Sequence, residues 1–311
     1  LSPFSGLRIT RLWFPTTGGS ATKRKTRLNL CLIAPTYLVS IELAQKGKPM
    51  TVVSRNNQSF SWSGFLISDG PAGFLLSWVA GFVDTSAFII LFGIFTAHVT
   101  GNIALAGSSF VSSDAETTIT RLLMLPTFVV AVALTSLLAR YVRRRKGPVF
   151  AILLTTEAIA LVVFLLIGVQ LSPALLIDAQ EELILPIGMA GVVAMAVQNA
   201  LMKEARGVFK SYIPTTVMTG NTTQLTIDVV QYLSAKAARS PDSETLKEGE
   251  EALERMGRFI PVIAGFALGG FAAAYFILLS ESWWTLIFPV VIISTLAIAA
   301  FVQHYRQSSV A

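Results

Sequence analysis

AGFLLSWVAGFVDTSAFIILFGIFTAHVTGN, residues 72–102, decides the fold. The apolar run from Pro71 to about Val99 is long enough to cross ~30 Å of hydrocarbon at about 1.5 Å per residue. A carboxylate, Asp84, stands inside it, and the run closes on Thr100-Gly101-Asn102. The tripeptide returns as Thr219-Gly220-Asn221 after a second apolar run. Polar, helix-breaking residues beside membrane-length segments are costly unless the freed backbone groups find partners in protein or water, so they mark sites.

The composition agrees with a membrane setting. Of 311 residues, 53% are hydrophobic and 14% charged, with a mean hydropathy of +0.65, too little polar surface for a soluble chain of this size. The net charge of +6 reflects topology rather than nucleic acid, because Lys and Arg cluster at the ends of apolar runs. Cys31 is the only cysteine, which excludes an intramolecular disulfide and a cysteine-rich metal site. No Walker A loop, His-Glu-x-x-His or Gly-x-Ser-x-Gly is present, so neither an enzyme, a metal nor a cofactor is expected.

Six spans are expected: 71–99, 122–139, 149–169, 183–202, 259–279 and 284–302. Arg140, Arg143, Arg144, Arg145 and Lys146 follow the second, whereas Asp178, Glu181 and Glu182 follow the third. The positive-inside rule therefore puts the second and fourth loops and both termini in the cytoplasm. Trp283 and Trp284 read as interfacial, lipid-facing anchors. Residues 1–69 read as an N-terminal extension, disordered or spurious upstream sequence, with a conventional start at Met50. Residues 70–305 form one membrane domain, and the charged stretch 235–258 reads as a solvated cytoplasmic linker.

Spans one to three carry the first tripeptide and spans four to six the second, giving halves at about 70–170 and 183–303. An odd number of spans per half inverts the second copy, and inverted repeats bring their polar interruptions together near the midplane, where transporters bind solute. Val83-Asp84 matches Gln198-Asn199, and Pro126 opens its span much as Pro261 does. The expected fold is thus all-α and polytopic, a 3+3 inverted repeat with two polar breaks. If Thr100 and Thr219 are helix N-caps, the segments after them are half-helices whose positive ends face inward and favour anions or polar acceptors.

At GFVDTSAFIILFGIFTAHVTGN (81–102) and AVQNALMKEARGVFKSYIPTTVMTGNTTQL (196–225), the chain resembles the YoaK-like family of bacterial inner-membrane proteins, a domain of unknown function. The marks are Gly-x-Val-Asp before the first tripeptide, Gln-Asn-Ala before the second, and the tripeptides themselves. The resemblance covers roughly residues 70 to 305 and implies a helical membrane fold and an inner-membrane location. It brings no substrate. The charged residues from Lys236 to Arg255 and the N-terminal extension depart from the family pattern.

A carboxylate in mid-span is functional by default, which makes Asp84 the first candidate for binding a coupling proton or cation. Glu157 in span three and His98 beside the first tripeptide are further candidates for coupling. Thr100, Gly101, Asn102, Gln198, Asn199, Thr219, Gly220 and Asn221, with Asp84, are the candidate solute contacts. Gly265 and Gly269 have the spacing of close helix packing. The function expected is passage of a small molecule or ion through the bilayer, and a homo-oligomer is compatible with it. The alternative is a non-transporting scaffold or regulator acting through the charged 235–258 segment.

Overall fold

A computed structural model of the chain describes residues 61–111, 115–172, 181–205, 213–238 and 242–309. Expectations for residues 1–60 fall outside these. The helices among the described residues are α1 (Trp62–Leu66), α2 (Asp69–Ile90), α3 (Val99–Val111), α4 (Ala115–Arg144), α5 (Val149–Leu171), α6 (Glu181–Glu204), α7 (Met218–Ala237), α8 (Ser243–Ser280) and α9 (Ile287–Ser308). A short 3-10 helix, Trp283–Leu286, precedes α9. No strand occurs among the described residues. Six helices, α2, α4, α5, α6, α8 and α9, are long and apolar enough to cross a membrane.

The first span is shorter than its hydropathy suggests. Helix α2 ends at Ile90, and Phe92 and Gly93 take positive φ values of 51° and 88°. Glycine enters that region without steric cost, so the chain turns there although the next residues are still apolar. The second half of the apolar run then folds back against α2, because backbone N–H groups at Thr96 and Ala97 are bound by Asp84 rather than by helical carbonyls.

Helices α3 and α7 start one residue before Thr100 and Thr219, so these threonines lie in the first turns and are not N-caps. At α7 the cap position is Val217, which has no side chain able to accept a hydrogen bond. Local bonding falls instead to the asparagine of each tripeptide. Pro126 and Pro261 likewise lie inside α4 and α8, which begin well upstream of them.

Packing is crosswise. Helix α2 lies on α8, α6 lies on α4 and α5, and α5 also meets α9; α3 packs on α4 and α7 on α8. The α2–α8 contact is backbone to backbone. A Cβ built at Gly81 would lie 2.1 Å from the Phe266 carbonyl oxygen, one at Gly265 2.4 Å from that of Phe74, and one at Gly269 2.0 Å from that of Trp78. Small residues permit this approach in a lipid setting, where dispersion contacts rather than water exclusion hold helices together.

One reading of the loops is corrected. Trp283 is not lipid-facing: it is 1% exposed, meets the Phe164 ring edge-on, and donates from Nε1 to the Ser172 carbonyl at 2.8 Å, whereas Trp284 is exposed. The charged stretch after 235 carries helix: its described residues complete α7 and form the first turns of α8. Asp242 caps α8 by accepting from Thr245 N at 2.8 Å. Gly249 lies against Ala235, and Asp228, fully buried, accepts from Arg255 Nε at 2.9 Å. A buried carboxylate thus ties α7 to α8.

Candidate functional site

Asp84 is 3% exposed on α2, within two turns of its C-terminal end. One carboxylate oxygen, Oδ1, accepts from the backbone N–H groups of Thr96 and Ala97, both at 2.7 Å, and from Thr96 Oγ1 at 3.3 Å. The other, Oδ2, takes His98 Nδ1 at 2.6 Å. Backbone and side-chain groups of the returning chain converge on both oxygens, so Asp84 holds that chain on α2. Two residues placed apart in the sequence reading, Asp84 and His98, form one pair.

The tripeptide asparagines make the same contact in both halves. Asn102, fully buried, accepts from Phe95 N at 2.8 Å and donates to Phe95 O at 2.7 Å. Asn221 donates to Pro214 O at 2.6 Å. Each reaches back seven residues to the start of the chain segment that precedes its helix. Proline has no N–H, so the second clamp has one bond where the first has two.

In the second half, amides stand where the first has a carboxylate. Asn199 Oδ1 accepts from Thr216 Oγ1 at 2.7 Å. Gln198, fully buried, donates to Leu76 O at 2.7 Å and to Thr215 Oγ1 at 3.0 Å. Ser77 donates to Thr215 O at 3.1 Å. Helix α2 is thus tied to the break of the other half as well as to its own. His98 closes the arrangement: its ring bonds Asp84 and stands edge-on to Phe266 of α8, with centroids 5.4 Å apart. A third of the His98 side chain is exposed, so the junction is open on one side.

The other candidates are distributed unevenly. Thr100, Thr219 and Gly220 are exposed on the first turns of α3 and α7, and Gly101 packs on the Phe95 ring. Both ends of the Asn102 amide are engaged by Phe95, so its contribution is to backbone shape. Glu157 is fully buried on α5 and forms no hydrogen bond with Asp84, His98 or any other described residue.

Sequence reasoning missed Ser77, Thr96, Thr215 and Thr216, which read as ordinary residues of apolar runs. Their signal was available: Thr96 and Thr215 both lie six residues before their tripeptide asparagine. A second missed pair is Arg121 and Arg255. Arg121 Nη1 donates to Ser109 Oγ and to Leu105 O, the latter at 3.2 Å, and Arg255 binds Asp228. Ser109 and Asp228 each lie seven residues after their tripeptide asparagine, so both hairpins are latched at equivalent points.

Helical architecture, six apolar spans and two polar interruptions held by buried amides and a buried acid define a multi-pass helical membrane protein. The chain matches, over residues 72–299, the family described as "Protein of unknown function (DUF1275)", and it belongs to that family. No curated protein and no solved structure matches it.

Proposed function

We propose that this protein is a transporter or channel for a small molecule or ion, built as two halves related by inversion that meet in a central polar site. The observation that carries the reading is that α2 is tied to both breaks, through Asp84 to Thr96 and Ala97 of the first half and through Ser77 and the Leu76 carbonyl to Thr215 and Gln198 of the second. Three pairings support the inversion. Helix α2 packs on α8 as α6 packs on α4, the hairpins α3–α4 and α7–α8 correspond, and each asparagine clamps the residue seven before it.

In this mechanism the Asp84–His98 pair binds the coupling proton or cation. The starts of α3 and α7 supply N–H groups, with the Thr100 and Thr219 hydroxyls beside them, to a polar or anionic group of the solute. Asn102 and Asn221 keep those starts in place, while Gln198 and Asn199 give the second half a neutral lining. The natural setting of this reading is the bacterial inner membrane, with both termini cytoplasmic and a lipid bilayer as surroundings.

The test is flux. Liposomes carrying the protein are expected to take up or release at least one solute from a broad panel, with a pH dependence that Asp84→Asn alters. Silence across the panel, or an unchanged pH profile in Asp84→Asn, would sink the proposal.

A further inference from the structure

We infer that Glu157 is a proton-binding site separate from the Asp84–His98 junction, loaded from a vestibule at the Arg143 end of the helices. It concerns proton binding rather than flux, so it does not rest on the transport reading. The two buried acids differ in how their oxygens are engaged. Asp84 has its oxygens spent on Thr96, Ala97 and His98. Glu157 is 0% exposed, and neither oxygen has a hydrogen-bond partner among the described residues.

Among the described residues, no ion pair to Glu157 supplies a counter-charge. Helix α5 packs on α6 and α9. The ionisable residues of α6 are Glu181 and Glu182 in its first turn and Lys203 and Glu204 in its last, and those of α9 are His304, Tyr305 and Arg306 near its C-terminus. On α4, which meets α5 more sparsely, Glu116 and Arg121 lie near one end and Arg140, Tyr141, Arg143 and Arg144 near the other. Thr155 and Thr156, beside Glu157, give their hydroxyl protons back to Ala151 O and Ile152 O, both at 2.9 Å.

The donor set decides what Glu157 holds. A hard metal cation requires about six oxygen ligands, and among the described residues no group of three or more His, Cys, Asp or Glu is placed to hold one. The other residues on the buried face of α5 here, Leu153, Leu154, Ala158 and Leu161, offer none. A proton needs no ligand beyond the carboxylate that bonds it.

Access follows from helix register. A cavity of about 1060 Å³ opens at the start of α5 and the ends of α4, α6 and α9, with Asp69, Arg143, Glu204, Arg258 and His304 in its walls and Phe150 in its lining. Glu157 lies seven residues beyond Phe150, on the same helical face and roughly 10 Å deeper at the usual rise per residue. Leu153 and Leu154, both fully buried, flank the line between them. Brief hydration past these side chains connects the vestibule water to the carboxyl.

A hydrophobic carbodiimide, which reacts with protonated carboxyls in apolar surroundings, tests this on the full-length protein in liposomes. Mass spectrometry is expected to find the adduct on Glu157, with a rate that falls as pH rises. Leu154→Ala is expected to raise that rate severalfold. Infrared difference spectra taken across a pH step are expected to show a protonated-carboxyl carbonyl band that Glu157→Gln removes. No adduct on Glu157 at any pH, or a band unchanged in folded Glu157→Gln, overturns the site. An adduct whose rate ignores Leu154→Ala overturns the vestibule as its route. Each result stands whether or not any solute is transported.

Discussion

Phe95–Asn102 and Pro214–Asn221 perform the same manoeuvre with different chemistry. Both segments leave an apolar helix, turn back beside it, and are clamped by an asparagine before a new helix begins. In the first half the returning chain is held by a carboxylate and a histidine, and in the second by two amides and two threonine hydroxyls. The opening helices differ in parallel. Helix α2 meets α8 through bare backbone, whereas the glycines of α6 meet side chains: Gly188 faces the Met124 thioether, and Gly191 faces Thr96 and Phe164. A buried acid and close backbone packing therefore coincide on α2. A buried acid needs fixed donors, and the returning chain at Thr96 and Ala97 supplies them.

The largest expected effect breaks that packing. In Gly269→Leu the new Cβ would fall 2.0 Å from the Trp78 carbonyl oxygen, a backbone atom that cannot move without separating α2 from α8. The cost exceeds the ~1–3 kcal/mol of ordinary overpacking, and the variant is expected to give no monodisperse protein by size exclusion in detergent. Gly188→Ala probes the corresponding contact of α6 with α4. Its nearest neighbour is Met124 Cε at 3.1 Å, the end of a flexible chain, and its melting temperature is expected to stay near that of the parent. Equal behaviour of the two variants would remove the contrast between the halves.

Much of this architecture is readable from residue order alone. Helix type, the six spans and the close packing at Gly265 and Gly269 follow from hydropathy and small-residue spacing, which are local properties. The end of α2 was not readable, because Leu91 to Val99 is as apolar as what precedes it and only the partners of Thr96 and Ala97 stop the helix. The Asp84–His98 pair was half-readable: each residue stood out by its polarity in an apolar run. Their contact depends on the turn at Phe92 and Gly93, where a left-handed Phe92 carries no sequence signal. The pairing of Asp228 with Arg255 was hidden for a different reason. Charges in a long polar stretch read as solvated, and the burial of one of them is set by the packing of α7 on α8.

The clamps give a finer comparison. Leaving a buried backbone group unpaired costs about 1–3 kcal/mol. Asn102→Ala strands both the N–H and the carbonyl of Phe95, and Asn221→Ala strands only the carbonyl of Pro214. Asn102→Ala is therefore expected to lose roughly twice as much stability as Asn221→Ala, read as the drop in melting temperature of the purified protein. A double variant, Asn221→Ala with Pro214→Ala, separates the proline from the asparagine. If the missing N–H explains the asymmetry, Pro214→Ala alone is expected to narrow it by giving Asn221 a second bond. Equal losses in the two single variants would mean that the clamps are not what fixes the breaks.

The smallest effect concerns the start of α8, where the second hairpin is capped. Thr245, through its side chain and its backbone N–H, holds the Asp242 carboxyl below its ordinary value near 3.8. A carboxylate depressed in the folded state contributes stability that is present above the unfolded value and is lost as pH falls through the folded one. The loss is therefore expected below pH 3.8, and it is small because the group is fully exposed to solvent. Asp242→Asn keeps a cap that accepts from the same N–H but cannot titrate. Thermal melts of the two proteins, followed by helical circular dichroism, are expected to run parallel at neutral pH, and the parent should lose its advantage at the acid end. Because the clamp at Asn221 is far from this cap along α7, Asn102→Ala and Asn221→Ala are expected to leave that acid shift unchanged. A shift that vanished with either of them would show that cap and clamp act as one unit, and that the second half is more cooperative than its neutral chemistry implies.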